Sequence, residues 1–512
     1  MSKHRIGIAL IILSIVTAFV LARKNYQATR DAPGTVTIRV AHFTIDPSFR
    51  RFLDKAAAAY HERNPQVVVR QMDIPRQVYL QWQRTQIVGD MAPEIMQFAY
   101  FNAGVEDMVM HRFAVLDAWV EKPNPYRADD RVWKNTFLDG LGSRDAYSDK
   151  LRAYFGIPLI MGGYRFFYNE DLRRAQGLPP APWNYQTFRG FAESGAVSPM
   201  VGSDYSSYST FKALFASVTQ PLLYSLDRDF DLELNGRDAG MAYLEGRWDY
   251  DTEEIWAAFR LIRDAGKLMN PGFEQLSRQD GVLQFVQERG LSIGGAHVDV
   301  TYLRELAPFA VGESGFPVPD AADPEYGRHV LGPITELQGS STLTLGVLRS
   351  PLQDQAVDFL QFLTGDEMMA LLREETGWRV SVDSSAQTED LGLNPGYPDT
   401  QFDQMNNRGN IQAFRRNAHL IHGTKSSVEQ FAARMNAESP AEWRDWLRGQ
   451  AATLQRTLQQ QESAILARWF LSVNAEDETA AIETLDGFLD VNSRQEAELH
   501  AIRRFLDAHA PD

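Results

Sequence analysis

Tyr154-Phe155-Gly156-Ile157-Pro158-Leu159, followed beyond Gly162-Gly163 by Arg165-Phe166-Phe167-Tyr168-Asn169-Glu170-Asp171-Leu172-Arg173-Arg174, is the stretch on which the reading of the fold turns. Its first six residues have the apolar run of a short buried strand. The glycine pair allows a tight crossing, and the aromatic residues after it form a second strand. Asn169 is a good N-cap for the helix that the following charged and apolar residues predict. A loop set between two strands in this way faces a ligand in α/β proteins.

The whole chain is consistent with that local reading. Its 512 residues exceed one ordinary core, so two or more domains are expected. A hydrophobic fraction of 44% with 11% aromatics is that of a folded protein. The formal net charge of -16 argues against a nucleic-acid partner, whose phosphates would be repelled. The absence of cysteine excludes disulfides, thiolate metal sites, a cysteine nucleophile and a lipid-modified N-terminal cysteine.

Lys3, His4 and Arg5 precede an uncharged apolar run of 17 residues, 6–22. This is a signal peptide or an N-terminal membrane anchor, and residues 1–24 are assigned to it. Val20-Leu21-Ala22 suits cleavage, whereas Arg23 and Lys24 suit retention. Either outcome places the body outside the inner membrane, in the periplasm or an equivalent extracytoplasmic space.

Beyond a polar linker, residues 35–40 alternate as a first strand. Asp46-Pro47 supplies a cap and an N1 proline for a helix to about residue 64, with Phe49, Phe52, Leu53 and Ala56 on one face. Strand 67–69, helix 77–88 and strand 93–98 follow, a βαβα rhythm that predicts a doubly wound lobe. Segments 183–196 and 255–268 read as amphipathic helices, the second capped by Asp251. Ser439-Pro440-Ala441-Glu442 reads as a helix start, with further helices over 476–489 and 493–505. This C-terminal segment packs on its own lobe, binds a partner or dimerises; sequence leaves the three open.

The opening stretch resembles the "YGIP" and "YYNKDLF" segments of family 1 extracellular solute-binding proteins, the sugar-type, maltose-binding-protein-like proteins of ABC importers. Gly177-Leu178-Pro179-Pro180 with Trp183 resembles that family's next turn. Gly89-Asp90-Met91-Ala92-Pro93-Glu94-Ile95 resembles its "G.APDV", with Glu94 for the usual aspartate. Ser292-Ile293-Gly294-Gly295, Phe316-Pro317-Val318-Pro319, Gly339-Ser340-Ser341 and the helix 356–364 continue the likeness in order. Gly377-Trp378-Arg379-Val380 resembles a stop whose proline is missing.

The resemblance implies an α/β, two-lobe periplasmic-binding-protein-like fold (class II) with a hinge and, here, a helical C-terminal extension. Its parts are a first lobe over 35–150, a hinge crossing and second lobe over 151–330, return segments over 331–405 and the extension over 406–512. The implied function is capture of a mono- or oligosaccharide and its delivery to the permease subunits of an ABC importer. A polyol or glycerophosphoryl ligand is also compatible. The alternative is a secreted sensor of the same fold, signalling to a membrane receptor.

Sugar recognition uses aromatic faces for C–H groups and planar polar side chains for hydroxyls. On the loops marked by the resemblance, the ligand-binding candidates are His42, Phe43, Tyr100, Asn102, Met161, Gly163, Tyr164, Arg165, Tyr205, His297, Asp299 and Ser340. Phe43 and Phe101 also fit core packing, and Tyr164 fits either role. His297 stands where the family often carries a stacking tryptophan, which leaves it a hydrogen-bonding role. Trp183 is read as a structural staple, and Trp82, Trp248 and Trp256 as core.

Catalysis is not expected. The pairs Glu253/Glu254, Asp366/Glu367 and Glu374/Glu375 are adjacent on helices, where neighbours point about a hundred degrees apart and cannot flank a substrate. Histidines are scattered, His419 and His422 lack a third ligand, and no nucleophile elbow, phosphate loop or dinucleotide fingerprint occurs. No cofactor or metal is implied.

Overall fold

The computed structural model describes residues 35–44, 46–98, 112–143, 146–148, 153–194, 198–228, 234–334, 341–383, 409–421, 425–472 and 478–510. In chain order the elements are β1 (Val36–His42), α1 (Pro47–Arg63), β2 (Val67–Asp73), α2 (Arg76–Val88), β3 (Ile95–Gln97), α3 (Asp117–Val120), β4 (Tyr147–Ser148) and β5 (Ala153–Tyr154). Next come β6 (Gly156–Met161), β7 (Tyr164–Asn169), α4 (Glu170–Ala175), α5 (Tyr185–Ser194), β8 (Ser198–Val201), α6 (Asp204–Leu226), α7 (Gly236–Leu244) and α8 (Glu253–Gly266). They are followed by α9 (Arg278–Val286), β9 (Gly290–Ala296), α10 (Asp299–Leu306), β10 (Val311–Ser314) and β11 (Ser341–Val347). The chain closes with α11 (Gln353–Leu363), α12 (Asp366–Thr376), α13 (Ile411–Asn417), α14 (Lys425–Ser472) and α15 (Glu478–Ala508).

The described residues cluster into two compact units, each assembled from three separate stretches. One draws on Met1–Ala114, Asn124–Asp130 and Leu345–Glu375, the other on Val115–Pro123, Arg131–Thr344 and Thr376–Asp512.

In the first unit β1 pairs in parallel with β2, from Val36 opposite Val67 to His42 opposite Asp73. It also pairs in parallel with β3, against which Leu345, Gly346 and Val347 of β11 run antiparallel. Parallel pairing requires crossover helices, and α1 and α2 supply them. The α1 start is the one legible in sequence: the Asp46 carboxylate accepts the Ser48 N–H at 2.8 Å. Phe49, Phe52, Leu53 and Ala56 are all buried along its inner face. Tyr60 extends that face to α11, its ring 5.1 Å from Phe359 and its hydroxyl donating to Asp358 at 2.6 Å. Arg39 grips Glu94 through Nε and Nη2, at 3.0 and 2.8 Å. The glutamate that departs from the family pattern thus fastens β1 to the entry of β3.

In the second unit the strand order is β10-β7-β9-β8. β7 is antiparallel to both neighbours, and β8 is parallel to β9. Asn169 caps α4 as expected, accepting the Leu172 N–H at 2.8 Å. Trp183 is buried and donates from Nε1 to the Pro179 carbonyl at 2.9 Å, the staple read from sequence. Trp248 is core, and Trp256 packs on the core from a half-buried position; Trp82 in the first unit is half-buried. The cap of α8 is Thr252 rather than Asp251.

Three helical expectations are corrected. Residues 205–208 are the first turns of α6, not a loop, with Ser203 as N-cap. Nor does a helix start at Ser439: α14 begins at Lys425 and runs through Pro440 for 48 residues. Serine-proline reads as a helix start because it fits the cap and N1 positions. Inside a helix, proline instead strips the carbonyl four residues earlier of its donor. That carbonyl is Asn436, and the Tyr243 hydroxyl of α7 lies 3.5 Å from it. The helices expected over 476–489 and 493–505 are the single helix α15.

The N-terminal half of α14 belongs to the core of the second unit. Phe431 meets Phe259 at 4.8 Å and Tyr250 at 5.7 Å, and Val428, Met435 and Trp443 are fully buried. Asn410 ties the start of α13 to both, donating to the Tyr250 hydroxyl at 2.7 Å and to Ser439 Oγ at 2.8 Å. Farther along, Leu447 and Ala451 of α14 form a small core with Leu499, Ile502 and Phe505 of α15 and Met241 of α7. The extension is therefore anchored by buried side chains. The apolar run 6–22 lies outside the described residues; among those, no helix is long and apolar enough to cross a membrane.

Candidate functional site

The described candidates of the first unit, His42 and Phe43, sit at the carboxyl end of β1, where doubly wound sheets present ligand loops. His42 is fully buried. Gln71 Nε2 donates to the Arg50 carbonyl at 3.1 Å and to Asp54, so its Oε1 faces His42 and accepts from Nε2 at 3.2 Å. Burial lowers the His42 pKa, partly opposed by that hydrogen bond. Phe43 is half-buried, edge-on to Tyr79 at 4.9 Å, with the Arg76 guanidinium 5.5 Å from its ring. Buried Gln97 accepts from the Phe43 N–H at 3.1 Å and the Thr44 hydroxyl at 3.2 Å, which fixes the loop. Tyr100, Asn102 and Ser340 lie outside the described residues, as does Phe101.

In the second unit, two clusters grow from the paired ends of β7 and β9. Successive residues of a strand face opposite sides, so Tyr164 and Arg165 belong to different clusters. The pairing is held by Gly163, whose carbonyl accepts the His297 N–H at 2.9 Å; its φ of 150° suits glycine. Met161, just before, is buried, and its N–H donates to the Arg379 carbonyl at 2.8 Å.

The first cluster is closed. Arg165 donates from Nε to Glu313 Oε1 at 2.9 Å, and Arg379 Nη2 stands 3.6 Å from the same oxygen. His297 is buried, with both ring nitrogens engaged. Nε2 must accept, because the backbone N–H of Arg379 reaches it at 3.1 Å. Nδ1 therefore carries the proton and donates to Glu313 at 3.0 Å. Burial opposes ionisation of Glu313, yet its hydrogen bond from His297 and its cationic neighbours hold the carboxyl at about 2. Burial likewise keeps His297 neutral by lowering its pKa, against the pull of Glu313.

The second cluster is open. Tyr164 at the start of β7 meets Tyr205 and Tyr208 of α6, each at 6.3 Å and edge-to-face. Tyr164 and Tyr205 are half-buried and Tyr208 is exposed. Lys212, one turn beyond Tyr208, places its ammonium 5.8 Å from the Tyr164 ring. Arg278, the first residue of α9, lies over Tyr205 at 4.4 Å from the ring centre and donates from Nη2 to Asp299. The other Asp299 oxygen accepts the Ala296 N–H at 2.8 Å. Burial raises the Asp299 pKa, partly offset by Arg278.

The glycine pair 294–295 now has a physical reason. A Cβ on Gly295 would lie 2.8 Å from Asp299 Oδ2, and one on Gly294 would lie 2.6 Å from Thr210 Oγ1. Tyr164, Tyr205 and Asp299 are thus brought together, while Arg165 and His297 share the closed cluster. Arg278, Lys212, Glu313 and Arg379 were not read from sequence. Arg278 alone leaves a trace there: a cation in a helix first turn opposes the helix dipole and calls for another reason.

No protein-family model matches the sequence, and no curated protein matches it. Solved structures do match. The GacH receptor of Streptomyces glaucescens GLA.O, described unliganded and with acarbose, has a TM-score of 0.54 at 12% identity, over 80% of this chain and 99% of that one. A probable secreted solute-binding lipoprotein from Streptomyces coelicolor gives 0.52 at 16% identity, over 81% and 100%. A chitin oligosaccharide binding protein gives 0.52 at 12% identity, over 80% and 99%. The fold is that of extracellular solute-binding proteins. These proteins match over almost their whole length while about a fifth of this chain lies outside the match, so the chain carries substantially more than the solute-binding fold requires.

Proposed function

We propose that the protein captures a carbohydrate outside the inner membrane and delivers it to an ABC importer. The observation that carries this reading is the open tyrosine cluster of Tyr164, Tyr205 and Tyr208, set on a solute-binding fold. Edge-to-face rings with remaining exposure can pack against the C–H side of a pyranose, and fixed polar groups beside them can orient its hydroxyls. The apolar run 6–22 supports export, with the segment kept as a tether or removed.

A thermal-shift screen over neutral and acidic mono- and oligosaccharides tests the reading. Ligand at a hundred times its dissociation constant adds about 2.7 kcal/mol of stability, a readily measured shift. One or more saccharides should raise the melting temperature, and Tyr164→Ala should abolish the shift. A shift with amino acids, peptides or phosphate and none with any saccharide would overturn it. For delivery, the loaded protein should stimulate the ATPase activity of its permease complex in liposomes; no stimulation would leave capture without transport.

A further inference from the structure

We infer that Arg278 selects a carbohydrate bearing a carboxylate, a uronic-acid residue, at the tyrosine cluster; this rests on the carbohydrate reading above. The helix does not explain this arginine. Its N-terminus is satisfied by the Ser277–Asp280 capping box, in which Asp280 accepts the Ser277 N–H at 3.1 Å. A cation in that first turn opposes the helix dipole. The guanidinium is nevertheless fixed on two sides, by the Tyr205 ring and by Asp299.

Its remaining donors are open. Among the described residues, Nε and Nη1 of Arg278 have no hydrogen-bond partner, and the side chain is 41% exposed. Asp299 is only 9% exposed and has both oxygens committed, one to Arg278 and one to the Ala296 N–H. A surface ion pair needs no buried carboxylate behind it; orienting an exposed fork does. Lys212 adds a second cation beside Tyr164. The carboxylate of Asp204, next to Tyr205 in the chain, is turned to its own helix, where it accepts the Tyr205 N–H at 2.7 Å. A planar guanidinium with free N–H groups beside an aromatic face matches a sugar carboxylate, which takes paired, charge-assisted hydrogen bonds.

The test is calorimetric titration of the full chain with uronate oligosaccharides and neutral oligosaccharides of matched length. Uronates should bind about tenfold or more tightly than their neutral counterparts, with affinity falling as salt rises. Arg278→Gln should lower uronate affinity about tenfold to a hundredfold and collapse the ratio. Arg278→Lys, which keeps the charge and loses the fork, should fall between. Neutral ligands binding as well as uronates, or Arg278→Gln leaving uronate affinity unchanged, would overturn the inference and leave carbohydrate capture standing. Binding of neither class would overturn both.

Discussion

Arg165 and Arg278 serve the two clusters of the second unit in opposite ways. Each is an arginine held by an acidic residue, half-buried Glu313 and buried Asp299 respectively. Arg165 is buried, and its carboxylate is shared with His297 and approached by Arg379. Arg278 is half-buried, with 41% of its side chain exposed, shares its carboxylate with a backbone N–H, and keeps donors to spare. The contrast is one of access: the fold encloses the Arg165 guanidinium and leaves that of Arg278 within reach of solvent.

The largest expected effect tests the closed cluster. Glu313→Ala leaves two cations and a histidine without their shared anion, and removing one partner of a buried pair costs about 3–5 kcal/mol. Chemical denaturation should show this loss, and a loss below 1 kcal/mol would mean the cluster is not a structural tie.

Acid should act on the same group. The folded-state pKa of Glu313 is depressed, so its stabilisation is full above the ordinary carboxylate value and is lost as pH falls from 4.5 to about 2. The lowered pKa of His297 acts in the same direction, with its loss beginning below 6.5. About 3 kcal/mol should disappear across the carboxylate window in wild type. Glu313→Gln should flatten that part of the profile; an unchanged slope would assign the acid sensitivity elsewhere.

The two arginines can then be compared directly. Arg165→Gln should cost about 1.5–3 kcal/mol, the range for a hydrogen bond to a charged group. Arg278→Gln, which removes a partly exposed guanidinium from buried Asp299 but leaves the carboxylate its Ala296 N–H, should cost less, about 1 kcal/mol. Equal losses in thermal unfolding would erase the distinction between closed and open clusters.

The smallest effect belongs to the platform. Tyr205→Ala should weaken saccharide binding by about 0.5–1.5 kcal/mol while changing stability little, since the ring is half-buried. Titration beside thermal unfolding separates the two. A large fall in melting temperature with unchanged affinity would make Tyr205 a packing residue.

Local order was legible in the sequence wherever neighbouring residues decide the outcome. Asp46 and Asn169 are caps because their carboxylate and amide reach backbone N–H groups two or three residues away. Phe49, Phe52, Leu53 and Ala56 are buried because helical spacing places them on one face. The Trp183 staple closes over four residues. Ser439-Pro440 shows where such reasoning stops. The local signal says helix start, but the tyrosine that meets the freed carbonyl comes from 193 residues away.

The same division holds for the candidate site. Sequence alone marked the loop after β1 and the crossing between β6 and β7, because strand and turn patterns are local, but it took residues 205–208 for a loop where α6 begins. It could not determine that Tyr164 would meet Tyr205 and Tyr208, or that Arg165 would turn to Glu313, 148 residues on. Nor could it show that both nitrogens of His297 would be used within the fold. Those outcomes depend on strand register and on which partners each side chain finds across the sheet. Only the tertiary structure decides which polar groups are used up within the fold and which still have donors to offer.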